Sequence, residues 1–377
     1  MGFSQAGYSC AGAIDIDRTA LAVHQRNIVG ETYHFDLSKG HLPQGVPEQV
    51  DVVIAGSPCQ GFSTLGKRKL DDPRNQLLVA GGRAALTLRP KVFLAENVLA
   101  VKSGAHRQYW ESLSKLLVKA GYRTTEVVID SRNHGLAQSR RRIFLLAWNT
   151  SAIINVVFPK QEPVTLRKAL HGVIGLPDHE PEFLIPDTDE YLIARRIPQG
   201  HKLSNVRNGP RSIHTWEIPE VFGKISEHDK SVLTEIVTLR RRIRVRDSGD
   251  ADPLPRLMAE EMFGENVIKR LIEAGYMRSV DAGGPCVDLC YTFNGKFRRL
   301  AWDGCSTTVD TRFCSPKYYL HPEEHRGFSV REAARLQGFP DDFIFSGTSH
   351  DHVLVGNAVP PPLGYALADL VREELLQ

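Results

Sequence analysis

The run Val50-Asp51-Val52-Val53-Ile54-Ala55-Gly56 constrains this chain more than any other stretch. Residues 50–55 are mostly β-branched and apolar, the pattern of a strand buried on both faces of a parallel sheet. The run then breaks into Gly56-Ser57-Pro58-Cys59-Gln60-Gly61-Phe62-Ser63. That predicts a loop at the carboxyl end of the strand, the edge where open α/β sheets bind ligands. A cysteine there, ahead of a basic stretch, is a candidate nucleophile. The position equally suits an inert, half-buried thiol, the usual state of a free cysteine.

A second apolar run, Lys91-Val92-Phe93-Leu94-Ala95, ends in Glu96-Asn97-Val98, which puts a carboxylate on the same sheet edge as Cys59. A third strand, over 142–148, follows Gln138-Ser139-Arg140-Arg141-Arg142. Alternation turns Arg140 and Arg142 to one face and Arg141 to the other. Taken singly, these are a solvated glutamate and a surface basic run. Together they bring a thiol, a carboxyl group and two guanidiniums to one pocket.

These blocks, with Arg335-Leu336-Gln337-Gly338-Phe339-Pro340 and Val355-Gly356-Asn357-Ala358-Val359-Pro360 near the C-terminus, resemble the motif series of the C5-cytosine DNA methyltransferases in order and spacing. The resemblance covers most of residues 1–150 and 300–377. Ser57 and Ala137 stand where the family usually has proline, and neither is a reactive group. The resemblance implies a doubly wound, mostly parallel, Rossmann-like α/β catalytic domain that uses S-adenosylmethionine, with a second, smaller DNA-recognition domain. It implies methyl transfer to carbon 5 of a flipped-out cytosine in double-stranded DNA, in a restriction-modification or phage-defence setting with a partner restriction or defence protein.

In that reading the Cys59 thiolate adds to carbon 6 of the base. Glu96, protonated in a dry pocket, bonds N3 and the exocyclic amine. Arg140 and Arg142 hold the base carbonyl and the neighbouring phosphate. Gln60 and Ser63 on the same loop face DNA, and Pro58 faces the cofactor. Asp15, ending a strand over 11–17, binds the ribose, with Ile16 against the adenine. Asp36 accepts from the adenine amine beside Leu37, Leu77 lines the pocket, and Asn357 closes it. Without the resemblance, Asp15 and Asp36 read as solvated strand ends. Two other functions share the motifs: a tRNA cytosine-5 methyltransferase, against which the long recognition region argues, and a catalytically impaired DNA-binding or regulatory paralogue.

One departure bears on the cofactor. The chain opens with Met1-Gly2-Phe3-Ser4-Gln5-Ala6-Gly7-Tyr8, which resembles the helix that follows the family's first strand and glycine-rich turn. A strand of about five residues and a short loop are expected upstream. A start placed too far downstream, a strand supplied by a separate polypeptide, or a degenerate copy would each account for this.

The 377 residues suffice for two domains, expected as 1–160 with 300–377 (catalytic) and 161–299 (target recognition). The net charge of +3 makes any DNA surface local rather than global. Six irregularly spaced cysteines suit a reducing compartment, and Cys286, Cys290, Cys305 and Cys314 lack a usual zinc spacing. With no run of 18 apolar residues and no visible signal peptide, a soluble, cytoplasmic protein is expected.

Within the recognition region, a helical stretch over 231–246 carries Arg240-Arg241-Arg242, Arg244 and Arg246, either a solvated helix face or a phosphate-contacting one. Helices over 255–263 and 267–274 then flank Gly264-Glu265-Asn266. A hairpin of 286–293 and 296–300 turns at Asn294-Gly295. This layout predicts a winged helix, with Lys269 and Arg270 on the recognition helix and Lys296 and Arg298 on the wing. A packing subdomain without DNA contact is the alternative. Finally, residues 355–375 read as a closing helix that packs back on the first half.

Overall fold

The computed structural model describes residues 1–58, 61, 72–152, 154, 156–245 and 251–376. The chain forms two compact units. The first holds Met1–His179, Asp303–Thr311 and Val330–Gln377, and the second Glu180–Trp302 and Arg312–Ser329. The first boundary falls later than the expected 160. Helix α5 (Leu166–Leu170), capped by Thr165, buries Leu166 and Leu170 in the first unit, and the Leu166 amide donates to Gly304 O at 2.9 Å. The returning segment is also split, because residues 312–329 belong to the second unit.

In the first unit the chain runs α1 (Gly2–Gln5), β1 (Ala13–Asp15), α2 (Arg18–Asn27), β2 (Thr32–His34), β3 (Val52–Gly56), α3 (Leu77–Thr87), β4 (Val92–Val98), α4 (Arg107–Lys119), β5 (Arg123–Asp130) and β6 (Arg141–Trp148). It returns as α11 (Val330–Leu336), α12 (Asp351–Asn357) and α13 (Pro361–Leu375). The main sheet has the order β3-β4-β6-β5. β3 and β4 are parallel, whereas β6 is antiparallel to both β4 and β5.

Period-two burial explains why this sheet is covered on both faces. On one side Phe93 and Ala95 pack with Trp110, Leu113 and Leu117 of α4. On the other, Val92 and Leu94 meet Leu363, Leu367 and Val371 of α13. The closing helix is broken rather than continuous. α12 ends at Asn357 and α13 starts at Pro361, since prolines 360–362 cannot donate to a helix interior but suit its first turn.

β1 and β2 form a separate parallel pair, and among the described residues β3 has no strand on its outer side. β3 is therefore an edge strand, not buried on both faces as its composition predicts, and Ile54 is 56 % exposed. Beside it lies a cavity of about 380 Å³ with Met1, Phe3, Val23, Ile54, Leu94 and Phe345 among its walls.

The second unit contains α6 (Asp189–Arg195), β7 (Lys202–Ser204), β8 (Ser212–Ile213), α7 (Pro219–Phe222), α8 (Glu227–Arg242), β9 (Leu254–Pro255), α9 (Arg256–Phe263), α10 (Glu265–Glu273), β10 (Met277–Asp281), β11 (Pro285–Leu289), β12 (Asn294–Lys296), β13 (Arg298–Arg299) and β14 (Tyr319–Leu320). From α8 to β11 it has the element order and the β10-β11-β9 antiparallel sheet of a winged helix. Its core joins Leu233, Ile236 and Val237 of α8 to Ile268, Leu271 and Val287.

The wing is not where the sequence places it. β10 and β11 pair around Gly283 and Gly284, both at positive φ, and the Asp281 carboxylate accepts from their amides. Asn294-Gly295 instead forms a bulge where β12 pairs with β7, so Lys296 and Arg298 lie outside the wing. The arginine run does not form one face either, since Arg240 is buried against Asp288; Arg246 lies outside the described residues. A second core is organised by Arg299, 4 % exposed, which donates to the carbonyls of Ala194, Ile197, His321 and Glu324. Burial pushes its guanidinium down to about 10.

Candidate active site

The antiparallel direction of β6 creates the site. It sets the start of β6 beside the end of β4, in the register Glu96↔Phe144 and Val98↔Arg142. Arg142 Nε donates to Glu96 Oε1 at 2.8 Å, with the two side chains 12 % and 15 % exposed. Burial pushes the Glu96 carboxyl above its ordinary range, opposed by the positive charges of Arg142 and Arg140 and the Arg142 hydrogen bond. Gly56, the last residue of β3, is level with Glu96 on the neighbouring strand.

The loop leaving β3 is fastened to the same place. Asn97, fully buried, donates to Ser57 O at 3.5 Å and accepts from the Val98 amide at 2.9 Å. Ser57 Oγ donates to the carbonyl of Leu77 at the start of α3. Pro58 follows, half-buried. Cys59, Gln60 and Ser63 lie outside the described residues.

Arg140 has a different position from Arg142. It is 1 % exposed, and its guanidinium donates to Val309 O at 2.8 Å and Gly356 O at 3.1 Å. It thus ties the segment before β6 to the returning chain. Gln138 does the same, donating to Leu336 O and to Gln337 Oε1 while accepting from the Val309 amide. Gln337 passes the connection to Val355 O and Ala358 O. Asn97, Gln138 and Gln337 are buried supports of this arrangement that the sequence does not single out. All three sit inside motif blocks, but nothing local marks their partners.

Asp15 is the last residue of β1, and Asp36 follows the end of the paired strand β2. Asp15 accepts from the Asp17 amide at 2.9 Å, and the neighbouring Ile16 is 63 % exposed. Bonds from Ser38 hold the Asp36 carboxyl below its ordinary range, and Leu37 begins the short turn that follows. Leu77 is half-buried and Asn357 exposed at the end of α12. α12 and α2 are linked by His350 Nε2 and Asp17 Oδ2 at 2.7 Å. In the second unit, Lys269 is exposed on α10. Arg270 is engaged by both oxygens of the buried Asp229, at 2.6 and 3.1 Å.

A family profile described as C-5 cytosine-specific DNA methylase matches residues 1–373. The type II methyltransferase M.AgeI of Thalassovita gelatinovora is 30 % identical over 98 % of this chain and 96 % of that protein. The type II methyltransferase M.XorII of Xanthomonas oryzae pv. oryzae is 30 % identical over the whole chain and 82 % of that protein. Among solved structures, a candidate DNA modification methyltransferase encoded within a prophage (E. coli) has the same fold. It aligns with a TM-score of 0.58 at 24 % identity, over 100 % of this chain and 95 % of that one.

Proposed function

The chain belongs to the C-5 cytosine-specific DNA methylase family and is a DNA (cytosine-5) methyltransferase, and we propose that it acts through a covalent Cys59 adduct supported by Glu96 and Arg142. Carbon 5 of cytosine is too weak a nucleophile to take a methyl group directly. Attack of the Cys59 thiolate on carbon 6 forms a sulfur–carbon bond and moves the ring electrons toward carbon 5. Glu96, kept protonated by burial, bonds N3 and accommodates the charge that develops there. Arg142 orients Glu96 through the 2.8 Å bond and presents its remaining donors to the base carbonyl. Once carbon 5 carries the transferred methyl group, loss of its proton expels the Cys59 thiolate and restores aromaticity. The observation that carries this reading is the half-enclosed Glu96–Arg142 pair, level with the end of the strand that leads into Cys59.

S-adenosylmethionine, the cofactor implied by the family, would supply an electrophilic methyl group. The adenosine end fits the described residues. Asp15 and Asp36 offer carboxylates at adjacent strand ends, and Ile16 offers exposed apolar surface. Pro58, Leu77 and Asn357 belong to the same proposed site. The methionine end fits less well, because the cavity between α2 and β3 has mostly apolar walls. Calorimetric titration with S-adenosylmethionine tests the proposed site: Asp15→Ala should weaken binding, and an unchanged affinity would remove Asp15 from it.

A duplex carrying 5-fluorocytosine, whose carbon 5 fluorine blocks the last step, tests the chemistry. In the presence of cofactor it should trap a covalent complex, and Cys59→Ser should abolish it. A complex that survives that substitution would remove Cys59 from the mechanism. A restriction-modification setting follows from the type II relatives; a partner endonuclease and a cytoplasmic location remain part of the proposal.

A further inference from the structure

Several cations of the second unit pair with a carboxylate. Arg240 has Asp288, Arg270 has Asp229, Arg196 has Glu220 and Lys317 has Glu190. Lys202, Arg207, Lys296 and Arg298 do not: among the described residues no carboxylate pairs with them. These four are gathered around the small β12-β7-β8 sheet. Lys202 lies in β7, Arg207 in the loop after it, Lys296 in β12 and Arg298 at the start of β13. β12 pairs antiparallel with β7, in the register Asn294↔Ser204 and Lys296↔Leu203.

The bulge at Gly295 concentrates the charge. A Cβ placed on Gly295 would stand 3.1 Å from an Arg298 guanidinium nitrogen and 3.8 Å from Lys202 Nζ, so both cationic groups lean over the same glycine. Next to it Phe297, at φ +47°, is buried in the core, while Lys296 is exposed and Arg298 partly so. Burial lowers the Lys202 ammonium from its ordinary range, and Arg298 and Arg207 add to the effect.

Aromatic rings support Lys296. Lys296 Nζ stands 5.8 Å from the Phe293 ring and 5.9 Å from the Tyr318 ring, and Arg312 lies 4.5 Å over Tyr318. A ring face holds a cation in place without cancelling its charge. The loop bearing Arg207 is equally fixed. Asn205, 1 % exposed, bonds Thr215 Oγ1, the Thr215 amide and Tyr291 O. A folded surface that holds like charges together without counter-charges has a standing electrostatic cost that a polyanion relieves. By contrast, the exposed side of α10 offers Lys269 between Glu265 and Glu273, with Arg270 already paired.

We propose that the β7–β12–β13 face, through Lys202, Arg207, Lys296 and Arg298, is the main DNA-backbone contact of the second unit, in place of the winged-helix recognition helix. The proposal rests on the reading that the chain acts on DNA. It assigns these residues to phosphate binding, which sets register and affinity without reading sequence.

The test uses the full chain and a fluorescent duplex, with affinity measured by anisotropy across a salt series. Each lost phosphate contact lowers the slope of log affinity against log salt by about 0.9. Lys202→Ala with Arg298→Ala should therefore reduce it by about 1.8, and Arg207→Ala with Lys296→Ala by a similar amount. Lys202→Arg should keep the wild-type slope, and Lys269→Ala should barely change it. Unchanged slopes in both double variants, with wild-type binding intact, overturn this surface alone. A larger loss from Lys269→Ala than from either pair returns the contact to α10 and also overturns it. A wild-type chain with no salt-dependent DNA binding overturns the DNA reading and this surface with it.

Discussion

Arg140 and Arg142 are two residues apart and chemically identical, yet their surroundings predict opposite phenotypes on replacement by methionine. Arg140→Met removes two charge-assisted bonds, at 2.8 and 3.1 Å, and leaves the carbonyls of Val309 and Gly356 short of a donor inside the protein. Hydrogen bonds to charged groups contribute roughly 1.5–3 kcal/mol each. Removing a desolvated guanidinium returns part of that loss. With Arg140 only 1 % exposed, solvent cannot replace the bonds, and a net destabilisation of about 2–4 kcal/mol is expected. Urea unfolding should show it as a midpoint lowered by about 1 M at unchanged slope. The fraction that remains folded should still trap 5-fluorocytosine DNA. Arg142→Met removes the partner of a carboxyl that burial already favours in its neutral form, so folding should change little while trapping falls by at least about a hundredfold, as for a lost polar catalytic contact. If Arg140→Met unfolds at the wild-type urea concentration yet abolishes trapping, the assignment of Arg140 as a structural tie is wrong.

Glu96 has a folded-state pKa raised by burial. Its favourable contribution is therefore complete below the ordinary carboxyl value of about 4.3 and is lost as pH rises through the raised value. Stability of wild type relative to Glu96→Gln should fall with pH above that point, and a difference independent of pH between 4 and 8 would count against a raised Glu96. Gln138→Leu breaks three buried bonds and should cost about 2–4 kcal/mol; a urea midpoint within error of wild type would mean the network relaxes around it. Gly356→Ala places a methyl group against the backbone of Thr311, and overpacking of this kind costs about 1–3 kcal/mol, readable in the same assay. Asp229→Ala removes the ion pair that ties α10 to α8 and should be seen as faster amide exchange in both helices with the first unit unchanged.

The ends of β3 and β4, the α2 helix and the residues of the motif blocks were legible in the sequence. Each rests on an interaction of short range: apolar alternation, the Asp17 cap that accepts from Thr19 and Ala20, and proline or glycine breaks. The helices α9 and α10 could also be read from their spacing. The hairpin predicted after them could not, because Asn294-Gly295 supports a hairpin turn and a bulge equally well, and only pairing with β7 decides between them. The antiparallel direction of β6, which sets Arg142 against Glu96, depends likewise on how a whole chain segment returns to the sheet. So does the burial of Arg140 under Val309 and Gly356, more than 160 residues away. Sequence alone thus determined which chemical groups this protein carries and the strand ends that present them. The tertiary structure decided which guanidinium meets the carboxyl group, because a charged side chain takes its role from partners that the local pattern does not specify.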